Sequence, residues 1–67
     1  MKTFKNINDY ADHLVDNYGK SIIENNLEIT LPETFSEMDY EEKMDYLLKN
    51  HSKDLEEDMF YYNENAE

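Results

Sequence analysis

Apolar residues recur at helical spacing over three stretches of the chain and alternate over a fourth. Ile7, Tyr10, Ala11, Leu14, Val15 and Tyr18 keep the i, i+3, i+4, i+7 rhythm, while Asp9, Asp12 and Asp16 share another face. This pattern predicts an amphipathic helix over 7–18. Asn6 or Asn8 is placed to cap its start, and Asp9 lies in the first turn, where the helix dipole favours negative charge. Gly19, the single glycine, follows directly and reads as a left-handed C-terminal cap. A glycine inside a helix costs roughly 1 kcal/mol against alanine. The helix is therefore expected to break at Gly19 rather than run on, with Ser21 able to cap a short second helix over the following residues.

Leu27-Glu28-Ile29-Thr30-Leu31 alternates with the period of a strand. A lone strand needs a partner, and only the N-terminal arm offers one. The segment is expected to be either half of a short β-ribbon or an extended connector that drops Leu27, Ile29 and Leu31 into the core. Pro32 biases Leu31 away from helix in either case.

The clearest helix follows, over Ser36–Lys49. Tyr40, Met44, Leu47 and Leu48 make its inner seam, and Glu37, Glu41, Glu42 and Asp45 fall largely elsewhere on the wheel. Thr34 and Ser36 both offer a start, since Thr34-Phe35-Ser36-Glu37 fits a capping box. Asn50-His51-Ser52 reads as a turn, with Ser52 capping a last helix from Lys53 to about Tyr62. Leu55, Met59 and Tyr62 form its stripe, with Phe60 beside it. One continuous helix from 37 to 62 keeps the same spacing and is the alternative. Residues 1–6 read as an extended arm anchored by Phe4, and 63–67 as a frayed tail. The chain is thus expected to be a single mainly α domain over 1–67, a small three- to four-helix bundle.

Charge sharpens this picture. Six lysines face seventeen carboxylates with no arginine, and the net charge is −11. Residues 1–33 carry three lysines and six carboxylates, and residues 34–67 carry three and eleven, so most of the negative field comes from the second half. Such a surface repels nucleic acid and anionic membranes and attracts basic proteins. Direct DNA binding would need clustered Lys and Arg, which six scattered lysines cannot supply. There is no cysteine, hence no disulfide framework or thiolate metal site. With no long apolar run and no apolar segment behind Met1-Lys2, neither a membrane span nor a signal peptide is expected. A small chain without such staples is expected in the cytoplasm of a bacterial host, stabilised in part by its partner or by self-association into a homodimer.

The chemistry-bearing residues point to binding rather than catalysis. One glycine cannot build a phosphate loop. Neither His13 nor His51 has a second histidine at i+4, and Asp54-Leu55-Glu56-Glu57-Asp58 lacks the central glycine of a calcium loop. No enzyme activity, metal or cofactor is therefore expected. His13 is read as lying toward the polar face of the first helix. Tyr46 and Tyr61 are read as exposed tyrosines among carboxylates, a residue type enriched in interface hot spots. The candidate partner-binding surface is Glu37, Glu41, Glu42, Asp45, Tyr46, Asp54, Glu57, Asp58 and Tyr61. Glu37, Glu41 and Asp45 are read as one row along a helix, extended by Asp54 and Asp58.

Carboxylates four residues apart on a helix are about 6 Å apart along its axis. That is comparable to the phosphate spacing along one DNA strand, so these rows are read as a nucleic-acid mimic. Very small, cysteine-free, strongly acidic chains of this asparagine- and tyrosine-rich composition resemble, in general character, the phage and plasmid inhibitors of host nucleic-acid enzymes. Anti-CRISPR proteins, anti-restriction proteins and uracil-DNA glycosylase inhibitors are among them. The likeness is one of size, charge and composition; no motif matches residue by residue, and no functional residue is carried over. An acidic immunity protein or antitoxin that covers a basic toxin is the alternative. A small regulatory helical module whose charge serves only solubility is the third reading.

Overall fold

The computed structural model describes residues 3–65, and every regular element among them is helical. Four α-helices, Ile7–Asn17 (α1), Lys20–Leu27 (α2), Tyr40–Asn50 (α3) and Ser52–Asn65 (α4), and one 3₁₀ helix, Glu33–Glu37, make a small bundle. Helix α1 packs on α3 and α4, and α4 also on α3 and α2.

Helix α1 starts where its cap predicts. The Asn6 side chain accepts the Asp9 N–H at 2.8 Å, and Tyr10, Ala11 and Leu14 are buried. The helix stops at Tyr18, whose backbone is extended. Gly19 is not the left-handed cap that its position suggests. Its φ of −89° is open to any residue, and a Cβ added there would meet nothing within 4 Å. The left-handed residue is instead Glu28, at the end of α2, with φ 56°. There the Ile29 N–H reaches back to the Glu24 carbonyl at 3.1 Å, the long bond that closes a Schellman-type helix end.

The segment after α2 is the extended connector and not a strand. Leu27 still belongs to α2, Leu31 is buried and Ile29 half-buried. Glu24 holds the connector in place: its carboxylate accepts the Leu31 N–H at 2.7 Å and pairs with Lys20 at 3.2 Å. The backbone hydrogen bond first, then Lys20, lowers the Glu24 pKa below its usual value.

The predicted helix over 36–49 divides. Thr34 and Ser36 do not start it; they lie in the 3₁₀ helix, which turns Phe35 fully into the core. The cap is Asp39. Its carboxylate accepts the Glu42 N–H at 2.9 Å, and the Glu42 carboxylate accepts the Asp39 N–H at 3.2 Å, a complete capping box. Only Leu47 of the predicted seam is fully buried; Met44 and Leu48 are half-buried, and Tyr40 is 48% exposed. Tyr40 stands at the first position of α3 and reaches sideways, donating its hydroxyl to Asp12 of α1.

A turn, not a continuous helix, joins α3 to α4. The His51 N–H bonds to the Leu47 carbonyl and its own carbonyl accepts from Leu55, both at 2.9 Å. His51 therefore ends one helix and begins the next, and Ser52 is the first residue of α4 rather than its cap. Helix α4 buries Leu55 and Met59 and runs on to Asn65. Residues 63–65 are thus helical and not a frayed tail; 66–67 lie outside the described residues, as do 1–2 of the arm.

Asn63 ties the arm down. Its side-chain amide accepts the Phe4 N–H at 3.0 Å and donates to the Phe4 carbonyl at 2.8 Å. The Phe4 ring then sits 5.1 Å from Tyr10, 5.0 Å from His13 and 5.4 Å from Tyr62. His13 accordingly belongs to an aromatic cluster, half-buried, instead of lying on the polar face. The buried side chains among the described residues are all apolar apart from the Tyr10 hydroxyl, which donates to Asp58. Fully burying one Leu, Ile or Phe stabilises by about 1.5–3 kcal/mol, so a core this small depends on each of its members.

Candidate functional site

The nine candidate residues are spread over the 3₁₀ helix, α3 and α4. Glu37 lies in the 3₁₀ helix, and Met38 and Asp39 separate it from α3, so the row of Glu37, Glu41 and Asp45 is broken. Glu42, Asp45 and Tyr46 line a shallow depression of about 240 Å³ beside Met38. Asp54, Glu57, Asp58 and Tyr61 line a separate groove of about 300 Å³, whose other wall is Asn26, Leu27 and Glu28 at the end of α2.

Several of these side chains are engaged by the fold. Glu42 completes the α3 capping box. Asp45 pairs with Lys49 at 3.4 Å. Tyr46 is half-buried rather than exposed, with its ring 6.0 Å from Phe35 and 5.8 Å from His51. Asp54 meets the His51 ring nitrogen at 3.2 Å, and Asp58 accepts from Tyr10. The side chains of Glu37, Glu41, Glu57 and Tyr61 make no hydrogen bond or ion pair among the described residues. Tyr61 is 68% exposed.

Engagement by a phenol does not remove charge. A carboxylate that accepts from a neutral hydroxyl keeps its full negative charge, and only a cation close by offsets it. Among the described carboxylates, only Glu24 and Asp45 pair with a lysine. The negative field of the chain therefore stands largely uncompensated. Four carboxylates, Glu28, Asp54, Glu57 and Asp58, line the α2–α4 groove, with no cation in its lining.

Glu28 was missed as a site residue because it falls in an alternating segment far from the acidic stretch in sequence. Only the left-handed end of α2 brings it opposite α4. A second acidic hollow, of about 230 Å³, lies along α1 and is lined by Asp9, Asp12, His13 and Asp16. This is the row expected from the sequence, with Asp12 also accepting from Tyr40.

The two tyrosines with shifted acidity bear on what chemistry is available. Burial, and then the bond to Asp58, pushes the Tyr10 phenol above its ordinary value. The bond to Asp12 does the same for Tyr40. Both shifts run away from neutral pH, so neither phenol is poised to exchange a proton there. Among the described residues no group of three or more His, Asp or Glu is arranged to hold a metal ion. No helix among them is long and apolar enough to cross a membrane.

The Cα trace measures 35 × 20 × 19 Å, and its long axis matches one turn of duplex DNA, about 34–36 Å. At one phosphate per about 1.7 Å of axis, that length of duplex carries roughly 20 charges, against seventeen carboxylates here. Comparison with known protein families, curated proteins and solved structures finds no match.

Proposed function

We propose that this chain is an acidic binding protein that mimics nucleic acid and occupies the basic nucleic-acid-binding surface of an enzyme. It acts by occlusion, with no catalysis of its own. One observation carries the reading: carboxylates stand mostly on short helices around a body the length of a duplex turn, and lysine pairs with only two of those described. Helices hold the charges at fixed spacing, so the ordering cost of binding is low. Association would be fast and would weaken with salt. The biological setting that suits such a molecule is a phage or plasmid inhibitor of the anti-CRISPR or anti-restriction type, acting in the bacterial cytoplasm.

The experiment is capture from bacterial lysate with duplex DNA as competitor. The expected result is a nucleic-acid enzyme that DNA displaces and that salt releases. Double reversal at Glu57→Lys and Glu28→Lys is expected to weaken that complex at least tenfold, while the folded state survives because neither side chain has a partner among the described residues. Retention of the enzyme in the presence of excess DNA, or an affinity untouched by the reversals, would sink the mimic.

Tyr61 favours a second reading. An aromatic side chain 68% exposed on the rim of the acidic groove is the anchor that an immunity protein or antitoxin would use against a basic toxin. In that case Tyr61→Ala alone removes most of the affinity, whereas a mimic built on distributed charge tolerates it.

A further inference from the structure

The groove between the start of α1 and the outer side of α4 differs from the rest of the surface in charge and in polarity. It holds about 490 Å³ and is lined chiefly by Lys5, Ile7, Lys53, Glu56, Met59 and Phe60. Two lysines here face one carboxylate. The α2–α4 groove has four carboxylates and no cation in its lining, and the α1 hollow has three carboxylates. Phe60 is 56% exposed over this groove, beside half-buried Ile7 and buried Met59. In the sequence Phe60 lies beside the helix stripe of Leu55, Met59 and Tyr62; in the fold it faces out and is left uncovered.

We infer that this groove is where a second copy of the chain docks, in a two-fold arrangement, once salt screens the approach. Electrostatics selects the face. Two chains of net charge −11 repel one another, and close approach costs least where the local charge is not negative. The exposed ring of Phe60, with the part-exposed Ile7 beside it, supplies the attraction. In a two-fold contact the patch meets itself, so each copy brings two lysines and Glu56 to the contact, and no patch there is acidic. A basic partner, which the acidic faces attract, is repelled by Lys5 and Lys53 and suits this groove poorly. The inference uses none of the acidic-groove residues and stands apart from nucleic-acid mimicry. Its salt dependence is also opposite: partner capture weakens as salt rises, and self-association strengthens.

Sedimentation equilibrium of the full chain tests it at about 0.01 M and about 1 M salt, between which the Debye length falls from about 30 Å to about 3 Å. The chain is expected to be monomeric at the low value and to show a concentration-dependent dimer at the high one. Phe60→Ser is expected to abolish the dimer, and Lys53→Glu to reduce it. Tyr61→Ser, one residue on and more exposed, should leave it unchanged. A chain that stays monomeric at high salt up to its solubility limit overturns the inference. So does a dimer that survives both Phe60→Ser and Lys53→Glu, or one that Tyr61→Ser removes equally.

Discussion

Tyr61 and Tyr62 are neighbours on α4, yet they belong to opposite kinds of surface. Tyr62 is half-buried in the cluster that clasps the N-terminal arm, with its ring 5.4 Å from Phe4 and 5.9 Å from Tyr10. Tyr61 is turned one step around the helix, onto the rim of the α2–α4 groove, and touches no ring there. In the clasp, polar groups are matched to one another: Asn63 takes both backbone groups of Phe4, and the Tyr10 hydroxyl donates to Asp58. In the groove, the Glu28 and Glu57 side chains have no hydrogen-bond or ion-pair partner among the described residues. A rotation of about 100° per residue on a helix thus separates the part that holds the molecule together from the part left exposed on the groove rim. Asp58 is common to both. It anchors the Tyr10 hydroxyl and also lines the groove, where its charge still contributes to the field.

If this division is real, mutations on the two sides have separable effects. The largest is expected from Phe4→Ala, which empties the aromatic clasp and should cost about 3–5 kcal/mol in urea unfolding. Partner affinity of the molecules still folded should stay constant. A loss of less than about 1 kcal/mol would show that the clasp is decoration and break the comparison.

Alkaline titration probes the same side. The folded state favours neutral Tyr10, because burial and Asp58 raise its pKa above the ordinary 10.0. Its contribution is therefore complete below that ordinary value. It declines as pH rises past it, because the unfolded chain then ionises first. Urea midpoints should fall above about pH 10 in the natural chain and fall less in Tyr10→Phe. Identical alkaline slopes in the two would place the origin elsewhere.

The smallest effect concerns the groove side and has crossed signs. Glu28 occupies the left-handed region at φ 56°, which costs a residue with a side chain roughly 1–2 kcal/mol. Glu28→Gly relieves that strain at some cost in unfolded-chain entropy, so a net gain of about 1 kcal/mol is expected. In a domain of this size that corresponds to roughly 4–8 °C in Tm. The same change removes one groove carboxylate, so partner binding should weaken as stability rises. Both quantities moving together would show that the groove is structural.

Much of the fold is legible in local sequence because local physics sets it. Pro32 biases the connector before it toward extended backbone, and the Asn6 cap and the turn at His51 follow from signals within a few residues. The start of α3 does not, because two capping signals compete within nine residues. Thr34-Phe35-Ser36-Glu37 and Asp39-Tyr40-Glu41-Glu42 carry comparable patterns. Burial of Phe35 decides between them, since its place in the core requires the chain to turn before the helix begins. That later start puts Tyr40 at the exposed first position, while packing against Phe35 and His51 draws Tyr46 inward. Periodicity alone read these two tyrosines the other way round.

The candidate surface was less legible for a related reason. Helical spacing shows which carboxylates lie outward on one helix, but the groove is made by two helices. Glu28 enters it only through the tertiary contact of α2 with α4. Residues that the wheel marks as outward, such as Glu42 and Asp58, prove to be held by a cap and by a phenol.

The Asn63 amide has one further consequence, for how the molecule opens. It joins Phe4 to the last turns of α4 across 59 positions of chain. Terminal segments usually fray independently of each other. Here the arm cannot lift without releasing Asn63, and unwinding of α4 through Asn63 removes both of its backbone bonds to the arm. The two ends should behave as one cooperative unit in native-state hydrogen exchange. The Phe4 amide would then exchange at the rate of amides near residue 63, and a protease that nicks the arm would loosen the opposite end of the chain.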